Sequence, residues 1–204
     1  MKKRYSVVFA ILFICLTVVL FRANETQNQL TSPLPQSEPS SATELVSEIF
    51  DDQPISFIPE RLIIPKLGVN VLVESVGLDE ERRMDIPADH RNAAWYNLGA
   101  EIGGAGNAVI AAHYDDPNGQ PSVFYQVAEL EVGDEILVES ADKTRLTYVV
   151  QKKAEYLDAS FPLEEVFGES DTRQLNLITC SGSFNSAAKS YTHRLVVYTQ
   201  LLDS

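Results

Sequence analysis

Residues 175–199 decide the reading: Leu175-Asn176-Leu177-Ile178-Thr179-Cys180, a small polar segment from Ser181 to His193, then Arg194-Leu195-Val196-Val197-Tyr198-Thr199. Both runs are rich in branched aliphatic residues, which suits extended, half-buried backbone, so each is predicted to be a strand. The segment between them holds Gly182, two alanines and four serines and reads as a loop. If the two strands lie antiparallel, the end of the first sits beside the start of the second. Cys180 and Arg194 then share one end of the sheet. His113 follows a third apolar run, Ala108-Val109-Ile110-Ala111-Ala112, and so ends a strand too. Reactive side chains at strand ends, with a rigid sheet below and loops above, are how active sites are commonly mounted.

Working outward, short strands punctuated by Gly and Pro continue in both directions. Arg61-Leu62-Ile63-Ile64 stops at Pro65, and the β-branched run Val69 to Val76 closes at Gly77. Gly103-Gly104-Ala105-Gly106-Asn107 is a turn cluster ahead of the strand that ends at His113. Glu135–Glu139 and Leu146–Val150 flank Ala141-Asp142-Lys143, a hairpin signal. Helical candidates are few, Pro121 to Leu130 and a short piece from Leu163 to Phe167. This pattern predicts an all-β domain, a barrel or a sandwich.

The N-terminal quarter is different. Met1-Lys2-Lys3-Arg4 precedes an uncharged apolar run from Ser6 to Phe21, a length that fits a short membrane span or a signal peptide's apolar core. No small-x-small cleavage site follows closely, which favours an uncleaved anchor with its basic end in the cytoplasm. Residues from Asn24 to about Pro54 are rich in Gln, Ser, Thr, Pro and Asn and read as a tether. The expected organisation is an anchor over 1–22, a flexible linker over 23–55 and a folded domain over 56–204. The chain would sit in the cell membrane through residues 6–21, single-pass, with the domain outside the cytoplasm.

The net charge of -13 conceals an asymmetry, because four of the 16 basic residues flank the apolar run. Beyond Arg22 there are 12 basic and 29 acidic residues, a net of -17. Such a surface repels phosphate backbones and excludes nucleic acid as a partner. It suits an amine-bearing partner, though solubility alone also accounts for it.

Cys15 lies in the apolar run, which leaves Cys180 as a lone thiol in an exported domain. It is either a buried small hydrophobe or a nucleophile. A free thiol has a pKa of about 8.5 and needs help to ionise at neutral pH. A histidine can carry the proton to a leaving amine, and an arginine can offer N–H donors to a tetrahedral oxyanion. Of the three histidines, His90 lies in a polar stretch and reads as a surface residue. His193 is the rival of His113, but strict alternation from Arg194 puts it on the opposite face. Asp115-Asp116 either orients His113 or belongs to an Asp-Asp-Pro-Asn-Gly turn, the preferred reading. A zinc site of His113, Cys180 and His193 lacks any ligand pair with local spacing. No spaced oxygen-ligand loop for calcium is visible either. No metal or cofactor is expected.

These residues resemble the sortases, thiol transpeptidases that attach proteins to bacterial cell walls or to one another. The resemblance rests on Leu177-Ile178-Thr179-Cys180, on Arg194-Leu195-Val196-Val197-Tyr198 and on Ala111-Ala112-His113. Pro59-x-Arg61-Leu62-x-Ile64-Pro65-x-Leu67, Met84-x-Ile86-Pro87 and Trp95-Tyr96 extend it over nearly all of Phe57 to Leu202. Asn176 and Ala112 depart from the family's usual threonine and glycine, and neither change removes a reacting group. The resemblance implies a closed eight-stranded sortase-type β-barrel with one or two short helices, preceded by the anchor helix. It implies that Cys180 cleaves a C-terminal sorting motif of the Leu-Pro-x-Thr-Gly type through a thioacyl-enzyme, with His113 as acid and then base. Arg194 would stabilise the oxyanion or orient the substrate, and Thr179 would help to position it. The partners are then surface proteins carrying a sorting motif and an amine acceptor of the cell envelope, or water. The single-domain form is closest to class F, with classes D and E next. The groove would be set by the loops Tyr114 to Tyr125 and Tyr156 to Phe167. Two other readings stand beside it. One is a different exported cysteine acyl-transfer enzyme such as an L,D-transpeptidase, against which the apolar residues before Cys180 argue. The other is a tethered β-domain that binds surface partners without chemistry.

Overall fold

The structure, a computed structural model, describes residues 57–202. The anchor expected over 1–22 and the whole of the linker expected over 23–55 lie outside the described residues. The described chain forms eight strands, β1 (Pro59–Ile64), β2 (Val69–Val76), β3 (Ala93–Tyr96), β4 (Gly106–Ala112), β5 (Glu135–Ser140), β6 (Arg145–Leu157), β7 (Arg173–Asn185) and β8 (Ser190–Leu201). They close into a barrel in the order β1-β2-β3-β4-β7-β8-β6-β5, which settles the choice between barrel and sandwich. The pairings β2·β3 and β4·β7 are parallel, and the other six are antiparallel. Parallel neighbours need long connections. The two that result, 77–92 and the excursion from β4 to β7, bring loops to one edge of the barrel.

The interior is filled by alternate residues of each strand. Leu62 and Ile64, Ala108 and Ile110, Ile136 and Val138, Tyr148 and Val150, and Leu175 and Leu177 belong to one apolar cluster. A second, smaller cluster lies on the outside of the wall, where Val109, Ile178, Val196 and Tyr198 pack against Val166. Val166 comes from the one α-helix among the described residues, α1 (Leu163–Phe167). This turn is tied to the sheet because the Asn176 side chain donates to the Val166 carbonyl at 2.8 Å and that of Asn107 to the Gly168 carbonyl at 2.9 Å.

Several elements differ from the sequence-based expectation. The helix expected over Pro121–Leu130 is a series of turns with a single 3₁₀ turn at Val127–Glu129. Phe124, Val127 and Leu130 are buried, so their helix-like spacing reflects three anchors of a folded loop. β3 escaped notice because Ala93 and Ala94 carry little strand preference. They are nonetheless fully buried between β2 and β4. β6 runs well past Val150, through an irregularity between Val150 and Lys152, because its first half pairs with β5 and its second with β8. Strands β7 and β8 also continue beyond Cys180 and Arg194 as a two-stranded ribbon, so most of the segment expected to be a loop is extended. Phe184 against Tyr191, with ring centroids 5.3 Å apart, holds that ribbon together. Gly182 makes its bend possible. Its φ of +76° is one that L side chains avoid, and a Cβ there would run into the His193 ring. It sits at the register shift between Ser181 and Phe184, a β-bulge that re-aims the ribbon.

Candidate active site

Strand parity assembles the site. Cys180 faces Arg194 directly across the β7·β8 ladder, as Ile178 faces Val196 and Asn176 faces Tyr198. Opposed residues share a face, and this face is the outer one, against α1. In β4, Ala111 is paired with Ile178 in parallel register. Two residues further along both strands, His113 comes level with Cys180 and on the same side of the wall. Three neighbouring strands thus deliver an imidazole, a thiol and a guanidinium to one level of one face. Neither Cys180 nor Arg194 is at a strand end, as the sequence had suggested. The supporting ribbon extends beyond both.

The three groups line one cleft of about 1160 Å³. One wall is the segment Leu78–Pro87 from the β2–β3 connection, and the other is Asp158–Gly168 before β7. The floor includes Tyr96, Ala111, Ile178 and Thr179. The loop 156–167 was expected here and largely forms its wall. The loop 114–125 was also expected, and it lies elsewhere. Tyr114 packs tilted against Tyr125 and edge-on against Tyr191 beside the ribbon, with ring centroids 4.8 and 5.6 Å apart. The segment Leu78–Pro87 takes its place, because the parallel β2–β3 crossover carries that loop over the outer face. Of the adjacent aromatics, Tyr96 lines the cleft while Trp95 points into the barrel core.

Arg194 is half-buried and held on three sides. Its Nη1 donates to the Tyr191 and His193 carbonyls at 3.1 and 2.9 Å, and its Nη2 lies 3.0 Å from the Asp158 carboxylate. The arginine is therefore fixed at the cleft lining rather than trailing in solvent as a surface charge. Asp158 carries no motif around it and could not be found from sequence. Thr179, expected to position the substrate, lies buried beneath the cleft, and its Oγ1 donates to the Ala112 carbonyl at 2.9 Å. That bond braces β7 to the residue preceding His113.

Protonation follows from burial. Cys180 is a free thiol, and its pKa is pushed up by burial, while the Arg194 charge pulls it down and Asp115 and Asp158 add to the rise. His113 is pushed the other way, below its ordinary value, by burial and by His90. A backbone hydrogen bond to Pro87 and the charge of Asp115 act against that shift. The Pro87 carbonyl can only accept, and His113 Nε2 has no hydrogen-bond partner, which leaves Nδ1–H as the donor. The resting site therefore tends towards a neutral thiol and a neutral imidazole with a free Nε2 lone pair.

The other histidines part company. His193 lies opposite Ser181, and its Nδ1 bonds the Thr192 hydroxyl at 2.8 Å, away from the cleft lining. His90, expected on the surface, is instead packed against His113, with ring centroids 4.5 Å apart and planes tilted by 58°. A polar sequence context gave no hint of it, since the contact joins two loops. Asp116 accepts from the backbone N–H groups of Asn118 and Gln120, the turn role preferred for it, while Asp115 accepts from the Tyr191 hydroxyl.

The family model of the sortase domain matches residues 62–202. Among solved structures, sortase C1 of Streptococcus agalactiae in complex with MTSET superposes with a TM-score of 0.56 at 18% identity, covering 73% of this chain and 70% of that one. Sortase C1 of Streptococcus suis gives 0.56 at 20% identity, covering 73% and 75%. A lid mutant of sortase A from Corynebacterium diphtheriae gives 0.54 at 20%, covering 71% and 69%. At these identities the likeness speaks for the fold. No curated protein matches the chain.

Proposed function

The chain belongs to the sortase family, and from that premise we propose that it is a cysteine transpeptidase in which Cys180 is the nucleophile. The observation that carries this reading is the juxtaposition of Cys180, Arg194 and His113 on one face of β4, β7 and β8, all lining one cleft. A peptide with a Leu-Pro-x-Thr-Gly-like sorting motif lies in the cleft with its scissile carbonyl at the thiol. Sγ loses its proton to His113, and the Sγ–C bond forms as the oxyanion develops towards Arg194. The C–N bond then breaks, and the leaving amine takes its proton from His113. In the second half the imidazole removes a proton from the incoming amine or water, which displaces Cys180 from the acyl carbon. Arg194 is suited to its part because its position is fixed before the charge appears, so little reorganisation is required. Asp158 steadies it and must share the guanidinium with the substrate.

The same proposal includes the setting. Residues 6–21 anchor the chain in the cell membrane, the linker lets the barrel reach, and the domain acts outside the cytoplasm on surface proteins and an amine of the cell envelope. Membership in class F, ahead of D and E, is part of this reading and rests on the single barrel behind a short tether.

The test is to incubate the purified chain with peptides bearing varied sorting motifs, with and without hydroxylamine. Release of the C-terminal amine fragment together with an acyl hydroxamate is expected. No fragment from any motif, with the protein folded, overturns the reading.

A further inference from the structure

The His90–His113 contact is not explained by packing alone. Both rings bury a nitrogen that has no hydrogen-bond partner, Nδ1 in His90 and Nε2 in His113. A buried polar atom without a partner is costly, and a structure keeps one where something else requires it. The loop carrying His90 is also held more firmly than its polar sequence suggests. Glu74 of β2 accepts from the backbone N–H groups of Ala88 and Asp89 and from the Asn92 side chain. From the other side, the Ser122 hydroxyl donates to the His90 carbonyl. The chain leaving His113 is tied to the same place, since Phe124 N–H bonds the His113 carbonyl and Ser122 N–H that of Tyr114. Two connections, 77–92 and 113–134, are thus pinned to each other at the point where the imidazoles meet.

We propose that His90 is a positioning residue for His113, fixing the plane of its imidazole and setting a second chargeable ring beside it. The inference deepens the acyl-transfer reading and rests on it for its consequence in turnover. A charge on a ring this close repels a second one, so His90 opposes the protonation of His113. His90 is among the causes that hold His113 below its ordinary value. The surrounding charges are few. The Asp115 carboxylate faces His113, and the Asp89 and Asp116 carboxylates are within electrostatic reach of His90. Asp89 is itself paired with Arg91 at 2.6 Å. Cys180 and Arg194 line the cleft beside His113, and Arg194 is paired with Asp158. In turnover the thiol proton then has one destination, Nε2 of His113, and His90 neither takes nor gives it. The His90 ring limits the planes in which Nε2 can meet the thiol and withholds a premature charge from the imidazole.

The experiment is an NMR titration of the imidazole C–H signals in the full chain without substrate, for wild type and for His90→Gln. In wild type the His113 signals should titrate below the range of an ordinary imidazole. In His90→Gln the His113 midpoint should rise, because a like-charged neighbour has been removed. If His90→Gln does not fold by circular dichroism, His90→Asn is titrated in its place. An ordinary His113 midpoint in wild type, or an unchanged one in the variant, overturns the inference. Since no substrate is present, that failure leaves the acyl-transfer reading standing, whereas failure of the latter would appear in the peptide assay.

Discussion

The two faces of β4, β7 and β8 are built from the same strands and do opposite work. On the inner face, Ala108, Ile110, Leu175, Leu177 and Val197 are apolar and almost fully buried. On the outer face, one turn of side chains away, sit Cys180, Arg194 and the level reached by His113, with two unpartnered imidazole nitrogens close by. The inner face gains from every contact and has no reason to move. The outer face bears Cys180 and His113, whose preferred protonation states are disturbed by burial, and it holds them only because the inner face fixes the strands. The placement of the proposed catalytic groups is thus a property of the barrel, while their protonation depends on the loops laid over it.

This division can be tested from both sides. On the outer face, Arg194→Ala should lower kcat/KM for sorting-motif cleavage by about 10²–10³-fold with an unchanged melting temperature. A near-normal rate would remove the guanidinium from the mechanism. On the inner face, Leu177→Ala should cost about 2–5 kcal/mol of stability in a denaturant titration. Activity per folded molecule should stay close to wild type. A large loss of activity in folded protein would mean that the two faces are not separable.

Smaller effects should follow at the rim. Asp158→Asn releases Arg194 from a partly exposed pair, a contact worth about 0–1 kcal/mol, so the rate should change by no more than roughly fivefold. A larger loss would make Asp158 part of the oxyanion machinery. Finally, the alkylation rate of Cys180 should rise with pH and reach half its maximum above the range of an ordinary thiol, because burial raises its pKa. Arg194→Ala should push that midpoint higher still, since the guanidinium is the group that lowers it. A midpoint below that of the unfolded chain would contradict the burial account.

Much of the placement was legible in the sequence because it depends on local alternation. The runs ending at Cys180 and His113 and starting at Arg194 advertise themselves, and antiparallel pairing of two of them is a natural guess. What stayed hidden depends on contacts between distant segments. Ala93-Ala94 has no strand signature and is a strand because β2 and β4 flank it. Leu78–Pro87 forms a cleft wall only through the parallel crossover that carries it there. Asp158 meets Arg194, and His90 meets His113, across connections whose paths no local pattern encodes. The extension of β7 past Cys180 was concealed by small polar residues, which read as a loop and fold as an exposed ribbon.

The central claim is that Cys180 carries the substrate as a thioester, and intact-mass spectrometry after acid quench tests it most directly. Incubated with a cleavable sorting-motif peptide, the chain should gain the mass of the acyl fragment. Peptide mapping should place that mass on Cys180, hydroxylamine should remove it, and Cys180→Ala should never acquire it. Efficient cleavage with no adduct, or an adduct that persists in Cys180→Ala, would contradict the account.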